Sequence, residues 1–256
     1  MTSCISINSL RFGYLKAIKE RTSESITREG QERGLALVID SLTISKGELV
    51  IICGANGAGK STLLSILGGR KMVSSGMTKI FNRDCFDDCR LTSKVCYVGE
   101  RWSDRFLDLS IGEFLGEQVV SGERCVTLCR ILGINLSWRV SQLSDAQRRR
   151  CQILSMFTAS DEYDVYILDE STADLDIVSR ERLLTWLKSE SRSRDVTVLY
   201  ATHILEGLNE WASRMLYLEG GRIVHDIKVL ESMDLYKMCK EWLMKDSDRV
   251  KIENEC

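Results

Sequence analysis

The sequence predicts an α/β fold with a mostly parallel sheet and helices on both of its faces. Three observations predict it. Two apolar runs, Leu49–Cys53 (LVIIC) and Asp164–Asp169 (DVYILD), read as buried strands. A glycine-rich loop and a helical pattern follow the first of them directly. Beyond these, strand-like and helix-like stretches alternate along the chain, as crossover-linked parallel strands require.

The 256 residues contain no proline, so glycine, Asn/Asp and helix caps must mark the ends of elements. CISINSLRF and LALVIDSLTI read as strands near the N-terminus. The polar stretch between them, residues 16–34, reads as a long charged insertion or hairpin loop. A helix is expected over Lys60–Gly68, with short strands at Thr78–Phe81 and Val95–Val98. Ser110 and Glu113 form a capping-box pattern that opens a helix. Further helices are expected over about Glu123–Leu132, Asp145–Thr158 and Ile177–Glu190. Strand Val196–Ala201, helix Leu205–Trp211, and strands Met215–Leu218 and Arg222–Ile227 come next. A helix from Leu230 to about Met244 closes the series. Its Leu235, Met238 and Trp242 have helical spacing and read as a core or partner face.

Composition narrows the classes. Hydrophobic residues make up 44% of the chain, enough for a sizeable core. A net charge of −2 gives no general pull toward nucleic acid or anionic membranes. Direct nucleic-acid binding is therefore not expected, and the basic run Arg148–Arg150 reads as one exposed helix face. No apolar run approaches the roughly 20 residues of a membrane span, and the N-terminus lacks a secretory pattern. The ten cysteines include no CxxC pair and no Cys/His quartet, so they read as free thiols. A reactive Cys85 or Cys89 is the alternative. A cytoplasmic protein is expected, with the nucleus as a second compartment.

Chemistry concentrates in GANGAGKST, Gly54–Thr62. Gly54, Gly57 and Gly59, with Asn56 between them, let backbone N–H groups turn inward around a phosphate. Lys60 brings a point charge to the β- and γ-phosphates, and Ser61 a hydroxyl to magnesium; Thr62 adds a second hydroxyl. The helix behind the loop aims its positive end at the same anion. A glycine turn that binds nothing would not explain the lysine or the paired hydroxyls. This is a P-loop for a nucleoside triphosphate. DVYILDE then supplies Asp169 for the magnesium shell and Glu170 as candidate general base.

LSDAQ (Leu143–Gln147), STADLD (Ser171–Asp176) and ATH (Ala201–His203) extend the pattern. Together, in this order, these stretches resemble the ATP-binding cassette (ABC) ATPases over nearly the whole chain. The resemblance implies a P-loop NTPase fold: an ABC nucleotide-binding domain with a mixed β-sheet core and a short α-helical subdomain, about residues 101–160, within one domain spanning 1–256. It implies ATP and Mg2+ as ligands and a head-to-tail pair in which each ATP lies between two chains. Ser144, Ala146 and Gln147 would then meet the partner's γ-phosphate. His203 would orient the attacking water with Glu170, Asp176 would couple the two sites, and Tyr14 would stack on adenine, with Phe12 as the fallback.

The departures refine the resemblance. Glu100 stands where the family carries a glutamine, and is expected in the magnesium shell; pairing with neighbouring Arg101 and Arg105 is the alternative. Asp145 and Ala146 replace two glycines; Ala146 is tolerable there if its φ is negative. RILGINLSWRVSQLSDAQRRR, DESTADLD and LYATHILEGLNEW resemble the soluble, single-cassette eukaryotic branch. That branch includes a yeast protein associated with the CCR–NOT complex and plant soluble ABC proteins of the I class. The resemblance implies an ATPase that switches a protein assembly through soluble regulatory partners, as a homodimer or with another cassette. Two alternatives stand beside it: a nucleotide-binding subunit whose membrane subunits are separate chains, and an ATP-binding regulator with little turnover.

Overall fold

The computed structural model describes residues 3–14, 35–100, 102 and 108–255. The charged insertion expected over 16–34, and the expected alternative partners Arg101 and Arg105, lie outside them.

The strands are β1 (Ser3–Phe12), β2 (Leu37–Ser45), β3 (Leu49–Gly54), β4 (Thr78–Ile80), β5 (Arg83–Asp84), β6 (Val95–Val98), β7 (Val165–Asp169), β8 (Thr197–Ala201), β9 (Arg214–Glu219) and β10 (Arg222–Lys228). The α-helices are α1 (Lys60–Leu67), α2 (Ile111–Leu115), α3 (Glu117–Val120), α4 (Glu123–Leu132), α5 (Asp145–Thr158), α6 (Ile177–Arg194) and α7 (Leu235–Glu255).

Two sheets form among the described residues. The larger runs β10-β9-β3-β8-β7-β6. Its pairs β3–β9, β3–β8, β7–β8 and β6–β7 are parallel, and only the edge pair β9–β10 is antiparallel. The smaller, β2-β1-β4-β5, is antiparallel throughout. The expected parallel sheet is thus the larger one. The N-terminal strands do not join it, because β1 and β2 pair with each other along their length, Leu10 opposite Ile39 and Ile7 opposite Leu42.

Alternation along the buried strands explains the layering. Ile51, Cys53, Tyr166, Leu168, Val198 and Tyr200 face one core with Leu154, Phe157, Leu183 and Leu187 of α5 and α6. Val50, Ile52, Val165, Ile167 and Leu199 face the other, with Leu63, Leu64 and Leu67 of α1 and Ile5, Leu10 and Ile39 of the small sheet. Helices therefore do cover both faces.

Three expected elements differ. Leu205–Trp211 is not a helix. Gly207 adopts φ +74°, which breaks the helical run, and the Thr202 hydroxyl accepts from Ile204 N–H at 3.0 Å. Leu205, Leu208 and Trp211 are buried all the same, with Trp211 Nε1 donating to the Leu184 carbonyl at 2.8 Å. The closing helix starts at Leu235 rather than Leu230, where Asp234 accepts from Lys237 N–H at 3.0 Å, and it reaches Glu255. Helix α6 continues to Arg194 and ends at Asp195 in the left-handed conformation. The capping box at Ser110 and Glu113 is formed in both directions.

Among the described residues the cysteines are free thiols. Cys85, expected as one of two reactive alternatives, is buried, and burial pushes its thiol up to about 12. That is the opposite of activation. Cys89 is exposed.

Candidate functional site

The site forms where three adjacent parallel strands end. β3, β8 and β7 lie side by side, and their C-terminal ends deliver the glycine loop, the His203 segment and Asp169–Glu170 to one edge. Open α/β sheets bind ligands outside the carboxyl ends of their strands.

The loop is shaped by its glycines. Gly54 has φ +146°, and a Cβ there would sit 2.2 Å from the Leu218 carbonyl oxygen. Gly59 has φ +103°, where a Cβ would meet the Leu37 side chain at 2.7 Å. Neither position accepts another residue without moving the backbone. Gly59 is also the N-cap of α1, which has no side-chain cap. Its first-turn N–H groups are the donors a phosphate needs. Lys60 is 7% exposed, and its ammonium donates to the carbonyls of Gly54 at 2.8 Å and Ala55 at 3.0 Å. Asn56 and Gly57 form the exposed tip of the loop.

Ser61 Oγ donates to Asp169 Oδ1 at 3.0 Å, joining the loop to the end of β7. Burial is the main reason the Asp169 carboxyl lies above its ordinary range; the Ser61 hydroxyl works against that, and Glu170 adds to it. A half-buried carboxylate beside a hydroxyl is a set of hard oxygen donors. Among the described residues no group of three or more His, Cys, Asp or Glu could hold a metal alone. A two-oxygen set suits an ion that keeps waters and shares phosphate oxygens, the habit of Mg2+.

Glu170 occupies the left-handed region, φ +45°, with its N–H donating to the Ala201 carbonyl at 3.0 Å. A non-glycine residue there stores strain of about 1–3 kcal/mol, of the kind that collects at functional sites. His203 is the second residue after β8; its Nδ1 stands 3.7 Å from Glu170 Oε1, and both side chains are open to solvent. The two expected to share a water are thus neighbours.

Tyr14 closes the other side of the loop. Its hydroxyl hydrogen-bonds the Thr62 hydroxyl at 2.9 Å, and Lys71 Nζ lies 5.1 Å from its ring centroid. Phe12 packs edge-on against Tyr14, 5.3 Å between centroids. The ring is half exposed, so one aromatic borders the loop and the other props it.

The expected signature residues open α5. Ser144 is its N-cap and makes a capping box with Gln147: Gln147 N–H donates to Ser144 Oγ at 3.3 Å, and Ser144 N–H to Gln147 Oε1 at 3.0 Å. Ser144, Asp145 and Ala146 are exposed, and none has a positive φ, so the condition on Ala146 is met. Asp176 caps α6, accepting from Ser179 N–H at 2.9 Å and Oγ at 2.8 Å. Those bonds hold its carboxyl below the usual range.

The sequence does not single out Arg149, and the exposed face expected for its run does not form. Arg148–Arg150 is not one exposed face. Arg149 is 5% exposed and Arg150 donates to the Leu132 carbonyl at 3.1 Å. Arg149 Nε donates to the Ser171 carbonyl at 3.1 Å, Nη2 to the Gly99 carbonyl at 3.2 Å, and Nη1 to Gln152 Oε1 at 2.7 Å. The i,i+3 spacing of Arg149 and Gln152 allows this pairing but does not by itself mark it.

Glu100 is exposed, and its backbone carbonyl accepts from Gln152 Nε2 at 2.5 Å.

Residues 38–173 match the ABC transporter family. That is more than half of the chain.

The chain belongs to the ABC transporter family.

This cassette is 34% identical to ABC transporter I family member 20 of Arabidopsis thaliana, over 96% of its own length and 77% of the relative's. It is 30% identical to CCR4-associated factor 16 of Saccharomyces cerevisiae, over 90% of this chain and 85% of that one. The ATP-binding cassette MJ0796, solved as a dimer in a post-hydrolysis state with ADP and Pi, shares its fold at a TM-score of 0.68 and 21% identity, over 88% of this chain and 99% of that one. The ABC cassette fold and ATPase class expected from the motifs are therefore correct. Among the described residues no helix is long and apolar enough to cross a membrane.

Proposed function

We propose that this cassette hydrolyses ATP in a head-to-tail pair and uses the cycle to switch a protein assembly, the CCR–NOT complex being one candidate. The observation that carries the ATPase chemistry is the bonded contact between Ser61 and Asp169, with Glu170 and His203 beside it. The yeast relative's name supports the choice of assembly.

In this reading Tyr14 stacks on adenine, and Gly54, Asn56, Gly57 and Gly59 wrap the phosphates. Lys60 exchanges its two carbonyl partners for β- and γ-phosphate oxygens. Thr62 keeps Tyr14 in place. Ser61 and Asp169 would hold Mg2+, which would supply charge neutralisation between the phosphates when bound. Glu170 accepts the proton of the attacking water, and His203 fixes that water from its other side. From the second chain, Ser144 and the amides of Ala146 and Gln147 close over the γ-phosphate. Asp176, as cap of α6, links that closure to the neighbouring site.

The exposed signature end tests the pairing. With hydrolysis blocked by Glu170→Gln, ATP is expected to drive the chain to dimer by light scattering. Adding Ser144→Arg is expected to keep it monomeric while ATP still binds. A monomer at saturating ATP without Ser144→Arg removes the homodimer. Affinity purification of the trapped chain tests its target: soluble regulatory proteins support the switch, and integral-membrane partners support a transporter subunit.

Glu100 is proposed as a further oxygen for the magnesium shell on closure, through water. Glu100→Ala is then expected to lower magnesium-dependent turnover several-fold more than ATP binding, and Glu100→Gln to be mild. Unchanged rate and magnesium midpoint in Glu100→Ala places the side chain outside the site.

A further inference from the structure

Three segments of the candidate site meet at one buried side chain. Helix α5 begins at Ser144, on the face offered to a partner. The segment after β6 carries Gly99 and Glu100. The segment after β7 carries Glu170 and Ser171. Arg149, inside α5, donates to the carbonyls of Ser171 and Gly99, while Gln152, one turn on, donates to the carbonyl of Glu100. Arg149 also donates to Gln152, so the two side chains act as one rigid fork. Both are 5% exposed.

The attachment point matters. Ser171 follows Glu170 directly, and Glu170 is the residue whose backbone is held at φ +45°. A residue in that region relaxes unless its neighbours fix the backbone on both sides. The Ala201 carbonyl fixes the Glu170 N–H, and Arg149 fixes the carbonyl of Ser171 just beyond. Ser171 itself is fully buried and its hydroxyl is without a hydrogen-bond partner, so the backbone bond to Arg149 is what anchors this residue's polar groups to α5.

We propose that Arg149, with Gln152, is a positioning residue that ties α5 to the backbone of Ser171, next to Glu170, and of Gly99 and Glu100. A shift of α5 when its N-terminus meets a partner's nucleotide is then passed to the carboxylate facing the γ-phosphate. In this reading Arg149 acts through Glu170 and Glu100. The inference rests on the proposed role of Glu170.

The geometry demands a fork. A guanidinium can reach Ser171, Gly99 and Gln152 at once because its donors diverge in one plane; an ammonium on a flexible stem cannot. Charge alone is not sufficient.

Full-length Arg149→Met, Arg149→Lys, Gln152→Leu and Glu170→Gln chains are compared with the parent. Steady-state ATPase assays give kcat and KM, and amide hydrogen exchange is followed by mass spectrometry. Arg149→Met is expected to lower kcat between about ten- and a hundredfold, the cost of a small misplacement at the reacting centre, with KM within about twofold. Exchange is expected to quicken around Gly99 and Ser171 and to stay unchanged in the glycine loop. Arg149→Lys is expected to recover less than half of the lost kcat, and Gln152→Leu to lose several-fold. If Arg149→Met shows no cooperative unfolding transition, Arg149→Lys and Gln152→Leu decide the matter. A kcat within twofold of the parent in the folded variants overturns the proposal, as does full rescue by lysine or a KM that rises as kcat falls. Glu170→Gln separates the two readings. If it turns over like the parent, the assignment of Glu170 fails and takes the proposal with it. If it is inactive while Arg149→Met stays active, only the positioning role fails.

Discussion

Glu170→Gln is expected to lose ATP turnover by about 10²–10⁴-fold, the range that general base catalysis contributes. The amide preserves the size and the left-handed backbone of residue 170, but cannot take a proton. ATP affinity is expected to remain, because the residues proposed to surround the phosphates, Lys60 and Ser61, are untouched. The half-open position of Glu170, 3.7 Å from His203, is what makes the expectation sharp. A carboxylate that merely ended a strand would be replaced without consequence. The measurement is single-turnover hydrolysis at saturating ATP with an independent binding assay. Parent-like hydrolysis would assign the base elsewhere.

The second large effect is expected for Lys60→Ala, and it falls on binding. The ammonium is 7% exposed and held by the Gly54 and Ala55 carbonyls. It is therefore already gathered at the loop when the phosphates arrive, and spends little side-chain entropy on the ligand. Removing one partner of a buried charge pair costs about 3–5 kcal/mol. ATP affinity is expected to fall at least about a hundredfold. Fold stability is expected to change much less, since the two carbonyls lie at the site edge and water can replace the ammonium. Calorimetric titration with ATP and a thermal melt without it check the two halves. Undiminished affinity would mean that the loop is not the phosphate site.

The parts of this cassette most legible in its sequence are those where one residue type answers one geometric need. Gly54 and Gly59 need φ values that side chains disfavour, and Ser110–Glu113 is a capping pair that requires no distant contact. The buried strands were legible because both faces of the larger sheet are covered, so LVIIC and DVYILD are apolar without alternation. The smaller sheet was less so: strand pairing depends on contacts between residues far apart in sequence, and composition does not say which strands share a sheet. Leu205–Trp211 misled because Leu205, Leu208 and Trp211 keep helical spacing while being buried from a loop. Arg149 was hidden by its neighbours. Three arginines in a row suggest a solvated face, and only the packing of α5 shows that the middle one turns inward.

The left-handed backbone at Glu170 bears on how this chain can evolve. Glycine reaches φ +45° without steric cost, and asparagine nearly so. Glutamate is held there by its surroundings, so the position is occupied by a residue that the fold itself would not choose. With Glu170 as the proposed base, stability and turnover pull this codon in opposite directions, the trade-off met wherever a site stores strain. A laboratory selection for heat resistance alone is expected to enrich glycine or asparagine at 170, and the survivors are expected to be firmer chains that hold ATP without consuming it.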